Sequence, residues 1–108
     1  MIGHAYTNIL CDSFARWRRL VGERVFFLTG NDEHGSKIEK TAREQGKTPQ
    51  AFVDEMVPRF KQLWDELDIT HDYFIRTTDA DHKKTVTELL GELERKGDIY
   101  KETYTGWY

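Results

Sequence analysis

A chain of 108 residues with a net charge of −3 has room for one domain, or for a piece of one. Its composition, 38% hydrophobic and 32% charged, is that of a globular chain that leans polar, with no apolar run near the ~20 residues of a membrane span and no charged-then-apolar leader. One cysteine, Cys11, excludes an internal disulfide and a multi-cysteine zinc knuckle and fits a reducing cytoplasm, while the acidic balance gives no electrostatic case for nonspecific nucleic-acid binding.

The first helix is expected over residues 1–21. Leu10, Phe14, Trp17 and Val21 recur at steps of four, three and four and make one apolar face, with Gly22 as its stop. Arg16, Arg18 and Arg19 then read as a solvated flank around a core tryptophan, and Cys11 as a small core residue. Ahead of this helix body stand Gly3 and His4. A small residue and an imidazole at a helix N-terminus suit an anion: phosphate can approach the backbone at Gly3, and His4 can donate toward negative charge.

Arg24 to Gly30 follows as a strand whose apolar run, Val25 to Leu28, suggests burial on both faces. The strand is expected to break at Gly30 into Asp32, Glu33 and His34, with Gly35 opening the next helix. Open α/β sheets bind ligands beyond the carboxyl ends of their strands, so Asp32 is placed at a mouth rather than in a core. Helix tip and strand end then share one edge of a parallel sheet, where a phosphate and an ammonium group could meet.

Ser36 to Gln45 reads as a short solvated helix with Glu39–Arg43 and Lys40–Glu44 at the supportive spacing. Thr48-Pro49 is a helix entry, and Phe52, Met56, Phe60, Leu63 and Leu67 keep the helical period, with Met56 and Trp64 as packing residues. Pro58 is expected to kink or break that helix. Tyr73 to Ile75 reads as a second strand, and a helix from about Asp81 to Lys96 is expected to bury Val86, Leu89, Leu90 and Leu93 before Gly97 stops it. His71 and His82 are isolated and suit surface or capping roles. Residues 98–108 look like a strand leaving the first layer.

These residues resemble the methionyl branch of the class I aminoacyl-tRNA synthetases. Ile2-Gly3-His4 is similar to the end of the His-x-Gly-His motif, and Thr29 to Gly35 (Thr-Gly-Asn-Asp-Glu-His-Gly) to the Thr-Gly-x-Asp-Glu-His-Gly block. Gly46 to Pro49, Asp72 to Thr78, and Lys96 to Tyr100 with Gly106 to Tyr108 also read like that family in order. The resemblance implies an α/β, partial Rossmann-like nucleotide-binding fold lacking its first strand. Residues 1–97 would be catalytic domain, and 98–108 the start of a connective region.

It also implies a ligase that activates methionine with ATP, with Mg2+, and passes the methionyl group to tRNA. By the same resemblance His4 would be catalytic and ATP-binding, Gly3 ATP-binding and Asp32 methionine-binding, with His34 and Gly35 shaping the loop. The chain departs from the family's pattern in several places. Met1 stands where the family has its first histidine, and no strand precedes the motif. A Lys-Met-Ser-Lys-Ser loop, an anticodon-binding region, a basic tRNA-binding surface and a zinc site are all missing from the sequence. An N-terminal piece, inactive alone, is therefore expected. The competing readings are a cysteinyl or leucyl synthetase, a non-catalytic nucleotide-binding or interaction module on the same scaffold, and an unrelated α/β domain.

Overall fold

The computed structural model describes residues 2–103 and divides into two compact units, residues 1–78 and 79–108. The expectations placed on Met1 and on residues 104–108 fall outside the described residues. In the first unit the order is α1 (Ile2–Leu20), β1 (Leu28–Asn31), α2 (Ser36–Glu44), α3 (Pro49–Glu66) and β2 (Tyr73–Arg76). The second unit contains α4 (Ala80–Lys96). No helix among the described residues is long and apolar enough to cross a membrane.

β1 and β2 pair in parallel, Leu28 opposite Tyr73 through Asn31 opposite Arg76, with α2 and α3 forming the crossover. This strand–helix–strand unit is the expected α/β arrangement. The first strand is shorter than the sequence pattern suggests and runs through Gly30 instead of breaking there. Residues 24–27 lie outside the ladder: Phe27 is buried but Phe26 is 72% exposed, so the run is covered on one side and not on two. Asp72 explains where pairing begins, since its carboxylate accepts the Phe27 N–H at 2.6 Å while its own N–H donates to the Phe27 carbonyl at 2.8 Å. Gly30 is fixed by contact, because a Cβ there would lie 2.0 Å from the Ile75 carbonyl oxygen across the ladder.

The core gathers Ala15, Phe27, Trp64 and Ile69, with Phe60, Leu63, Leu67 and Phe74 packed against it. Thr48 caps α3 as expected, accepting the Ala51 N–H at 3.2 Å, with Pro49 in the first turn. Pro58 leaves α3 continuous. Both Pro58 and Asp54, whose carbonyl loses its bond, are on the exposed side, where water can satisfy the freed oxygen.

α1 is rotated relative to its apolar periodicity. Leu10, Phe14, Trp17 and Val21 are exposed, as is Cys11, and the buried positions are Asp12 and Ala15. Hydrogen bonding decides the orientation. Asp12 Oδ1 accepts the Thr70 N–H at 2.7 Å and the Thr70 hydroxyl at 2.5 Å, and Arg16 closes on Oδ2 at 2.6 Å. Arg19 donates to Thr70 Oγ1 at 2.7 Å and to Asp72 at 2.8 Å, so two of the arginines expected on a solvated flank dock α1 onto the β2 entry. Leu10, Phe14, Val25, Phe26 and Leu28 are left lining an open groove beside β1.

In the second unit Gly97, at φ 82°, takes the left-handed conformation that ends α4. Val86, Leu89 and Leu90 are exposed instead of buried, and residues 98–103 form no strand.

Two outcomes are expected. Gly30→Ala should cost ~3 kcal/mol or more in urea unfolding, because the clash is with backbone that cannot swing away. Burial pushes the Asp12 carboxyl up, but the Thr70 hydroxyl and amide and then Arg16 outweigh it, leaving the pKa below the ordinary 3.8. Its stabilising contribution should therefore be complete above that value and lost as pH falls through the lower folded-state value. Asp12→Asn should flatten the fall of the urea midpoint as pH drops below 3.8.

Candidate functional site

At the carboxyl end of β1 a cavity of about 460 Å³ is bounded by the first turns of α1, the loop after β1, and α3. That volume lies within the range of small-molecule sites. His4 and Asn8 come from α1, Asp32 and Glu33 from the loop, and Phe52, Val53, Met56 and Phe60 from α3. One wall is thus polar and the other apolar.

The polar wall is assembled by direct contacts. Thr29, buried in β1, donates its hydroxyl to Asn8 Oδ1 at 2.6 Å, and Asn8 Nδ2 donates to the His4 carbonyl at 2.9 Å. Strand and helix tip are thereby tied together. The His4 ring meets Phe60 edge-on, with centroids 6.0 Å apart. His4 and Asp32 therefore border one cavity from two different elements.

Asp32 is exposed at the strand exit, where the sequence places it. Glu33, its neighbour, is buried, with a side chain only 3% exposed. Arg76 Nε donates to both carboxylate oxygens at 2.9 and 3.0 Å, and the Thr78 hydroxyl adds a third bond. The Glu33 N–H donates to Thr77 Oγ1 at 2.8 Å, and His34 Nε2 lies 3.2 Å from the Thr77 carbonyl oxygen. Arg76 also reaches Asp54 on α3 at 2.6 Å. The Arg76 hydrogen bond, followed by that of Gln50, holds the Asp54 carboxyl below its usual value, and Glu33 and Asp54 raise the Arg76 guanidinium further.

Of the other residues singled out in the sequence, Gly35 precedes α2 at φ 123°, a conformation open to glycine. Gly3 sits in the first turn of α1 with open space around its Cβ position, and it is not among the residues bordering the cavity. Sequence reasoning missed Glu33 as a buried anchor, along with its partners Arg76 and Thr78. It also read Met56 as packing, although Met56 is half-buried and borders the cavity. The strand register was the usable signal: Asn31 opposite Arg76 brings Glu33 level with the residues just past β2.

With these contacts the arrangement can hold a cation at Asp32, offer an imidazole donor at His4, and shelter apolar atoms against α3. The chain matches the family model described as tRNA synthetases class I (M) over residues 1–108. It is 55% identical over 107 residues to methionine–tRNA ligase of Thermotoga maritima, covering 99% of this chain and 17% of that protein. It is 51% identical to methionine–tRNA ligase of Caldanaerobacter subterraneus, with the same coverage. A crystal structure of Mycobacterium tuberculosis methionyl-tRNA synthetase bound by methionyl-adenylate superposes with a TM-score of 0.92 at 43% identity, covering 99% of this chain and 21% of that one. The chain thus spans about a sixth of the length of the curated relatives it matches.

Thr29→Val should cost about 1 kcal/mol in unfolding through loss of the tie to Asn8, with the far-ultraviolet helical signal retained.

Proposed function

The chain belongs to the family of class I tRNA synthetases (M), and we propose that it supplies part of a methionine-activating domain. The observation that carries this reading is that His4 and Asp32, far apart in sequence, border the same cavity. In the proposed reaction the methionine carboxylate attacks the α-phosphorus of ATP. A bond forms from carboxylate oxygen to phosphorus, the bond to the bridging oxygen breaks, and pyrophosphate leaves with the electron pair. A hydroxyl at the 3′ end of tRNA then attacks the acyl carbon of the resulting adenylate, the bond from that carbon to the phosphate oxygen breaks, and AMP leaves.

No enzyme-bound covalent intermediate is needed. The protein's task is positioning and stabilisation of charge as it develops. Asp32 would accept the methionine ammonium, His4 would donate to the ATP phosphates, and Gly3 would leave room for the adenosine. His34 and Gly35 would shape the loop that carries Asp32. Magnesium would arrive with the nucleotide. Residues 98–108 would open the connective region, and the whole protein would act in the cytoplasm.

The curated relatives support methionine over cysteine or leucine as the amino acid, since those given above carry the methionine–tRNA ligase name. A chimera in which this chain replaces the matching segment of the Thermotoga maritima ligase tests the reading through methionine-dependent exchange of pyrophosphate into ATP. The chimera should be active, whereas the 108-residue chain alone should show no exchange. In the chimera Asp32→Asn should raise the methionine KM about tenfold or more with little effect on ATP, and His4→Ala should lower kcat about a hundredfold. Unchanged kinetics in both variants would refute the assignment.

A further inference from the structure

We propose that Glu33 and Arg76 form a positioning clamp that sets the Asp32 carboxylate over the cavity. The proposal rests on the reading of Asp32 as the ammonium acceptor and extends it to the residues that hold Asp32 in place. Among the described residues Asp32 shows one hydrogen bond of its own, a 3.4 Å contact from the His34 N–H to its Oδ1. Its neighbours are anchored instead. On one side the Asn31 carbonyl accepts the Thr77 N–H at 3.2 Å. On the other the Glu33 N–H is held by Thr77 Oγ1, and the buried Glu33 carboxylate shares the Arg76 Nε–H between its two oxygens and takes a further bond from Thr78. The loop is therefore stitched to the β2 exit immediately before and after the residue that faces the ligand.

The guanidinium is itself held. Arg76 Nη2 bonds Asp54, and Gln50 bonds the same Asp54 oxygen at 3.0 Å, so α3 restrains the Arg76 rotamer. A buried ion pair is an inefficient way to stabilise a fold, since apolar residues of similar volume often do as well. What the pair supplies that apolar packing cannot is direction: the Arg76 Nε–H is shared between both Glu33 oxygens while Nη2 of the same planar group is held by Asp54, which fixes the rotation of Glu33 and with it the backbone next to Asp32. That geometry assigns Glu33 and Arg76 to positioning.

The test starts with the 108-residue chain itself. The paired replacement Glu33→Met with Arg76→Leu keeps volume and removes the charges together. Amide hydrogen exchange at position 33 should then speed up about tenfold or more, while the Ile75 amide in the strand keeps its protection. Arg76→Lys, which retains the charge but loses the planar group that meets Glu33 and Asp54 at once, should give an intermediate acceleration, and it serves if the paired variant fails to fold. Wild-type protection at position 33 in the folded variants would overturn the clamp.

In the chimera the paired replacement should raise the methionine KM about tenfold and leave the ATP KM within about twofold, with Arg76→Lys restoring part of the loss. Equal changes in both KM values, or a fall in kcat alone, would overturn the positioning role. An inactive chimera carrying the wild-type segment would instead defeat the reading of Asp32, with the exchange measurement still deciding the clamp.

Discussion

A single guanidinium joins the three elements on which the site depends. Arg76 is the last residue of β2, and it binds Glu33 at the exit of β1 and Asp54 on α3. Glu33 could not be buried without it, because an unpaired carboxylate in that position would be left without its compensating bonds; breaking such a pair from one side typically costs about 3–5 kcal/mol. The cavity's two faces are coupled through this contact. The loop bearing Asp32 gives the polar face, and Phe52, Val53 and Met56 on the helix of Asp54 give the apolar one. The Arg76 hydrogen bond holds the Asp54 carboxyl below its ordinary value, and Glu33 and Asp54 push the Arg76 guanidinium above its own, so both contacts favour the charged forms.

The other end of the strand pair is organised by polar contacts as well. Asp12, Thr70, Arg19 and Asp72 link α1 to the β2 entry, and Asp72 joins Phe27 to the start of β2. These bonds are directional and partly buried, and they fix the rotation of α1 about its axis. The helix tip consequently presents His4 and Asn8 to the carboxyl end of β1, while the most periodic apolar residues of α1 stay uncovered among the described residues. Within this chain, the docked face of α1 is the one whose polar groups are satisfied by the β2 entry.

How much of this was legible in the sequence varies with the range of the interaction. Helix limits, the Thr48 cap, the Gly97 stop and the parallel strand–helix–strand order could be read because each depends on residues within a few positions of one another. Ordered motif blocks identified the family, and the family match covers the same residues. Asp32 and His4 could be nominated as partners because strand ends and helix tips share an edge in parallel α/β units.

The docked face of α1, the shortness of β1 and the anchoring role of Glu33 could not be read in the same way. Glu33 sits in a polar triplet that looks uniformly solvent-facing, and its burial is decided by Arg76, 43 positions further along the chain. The Asp12 carboxylate likewise depends on Thr70, 58 positions away, for the bonds that draw it inward. The sequence by itself determined the helices and their caps, the family, and two of the residues that border the cavity, since periodicity, caps and motifs are short-range patterns. Only the tertiary structure decided which charges are buried, because a charge is buried only where distant partners replace the water it loses.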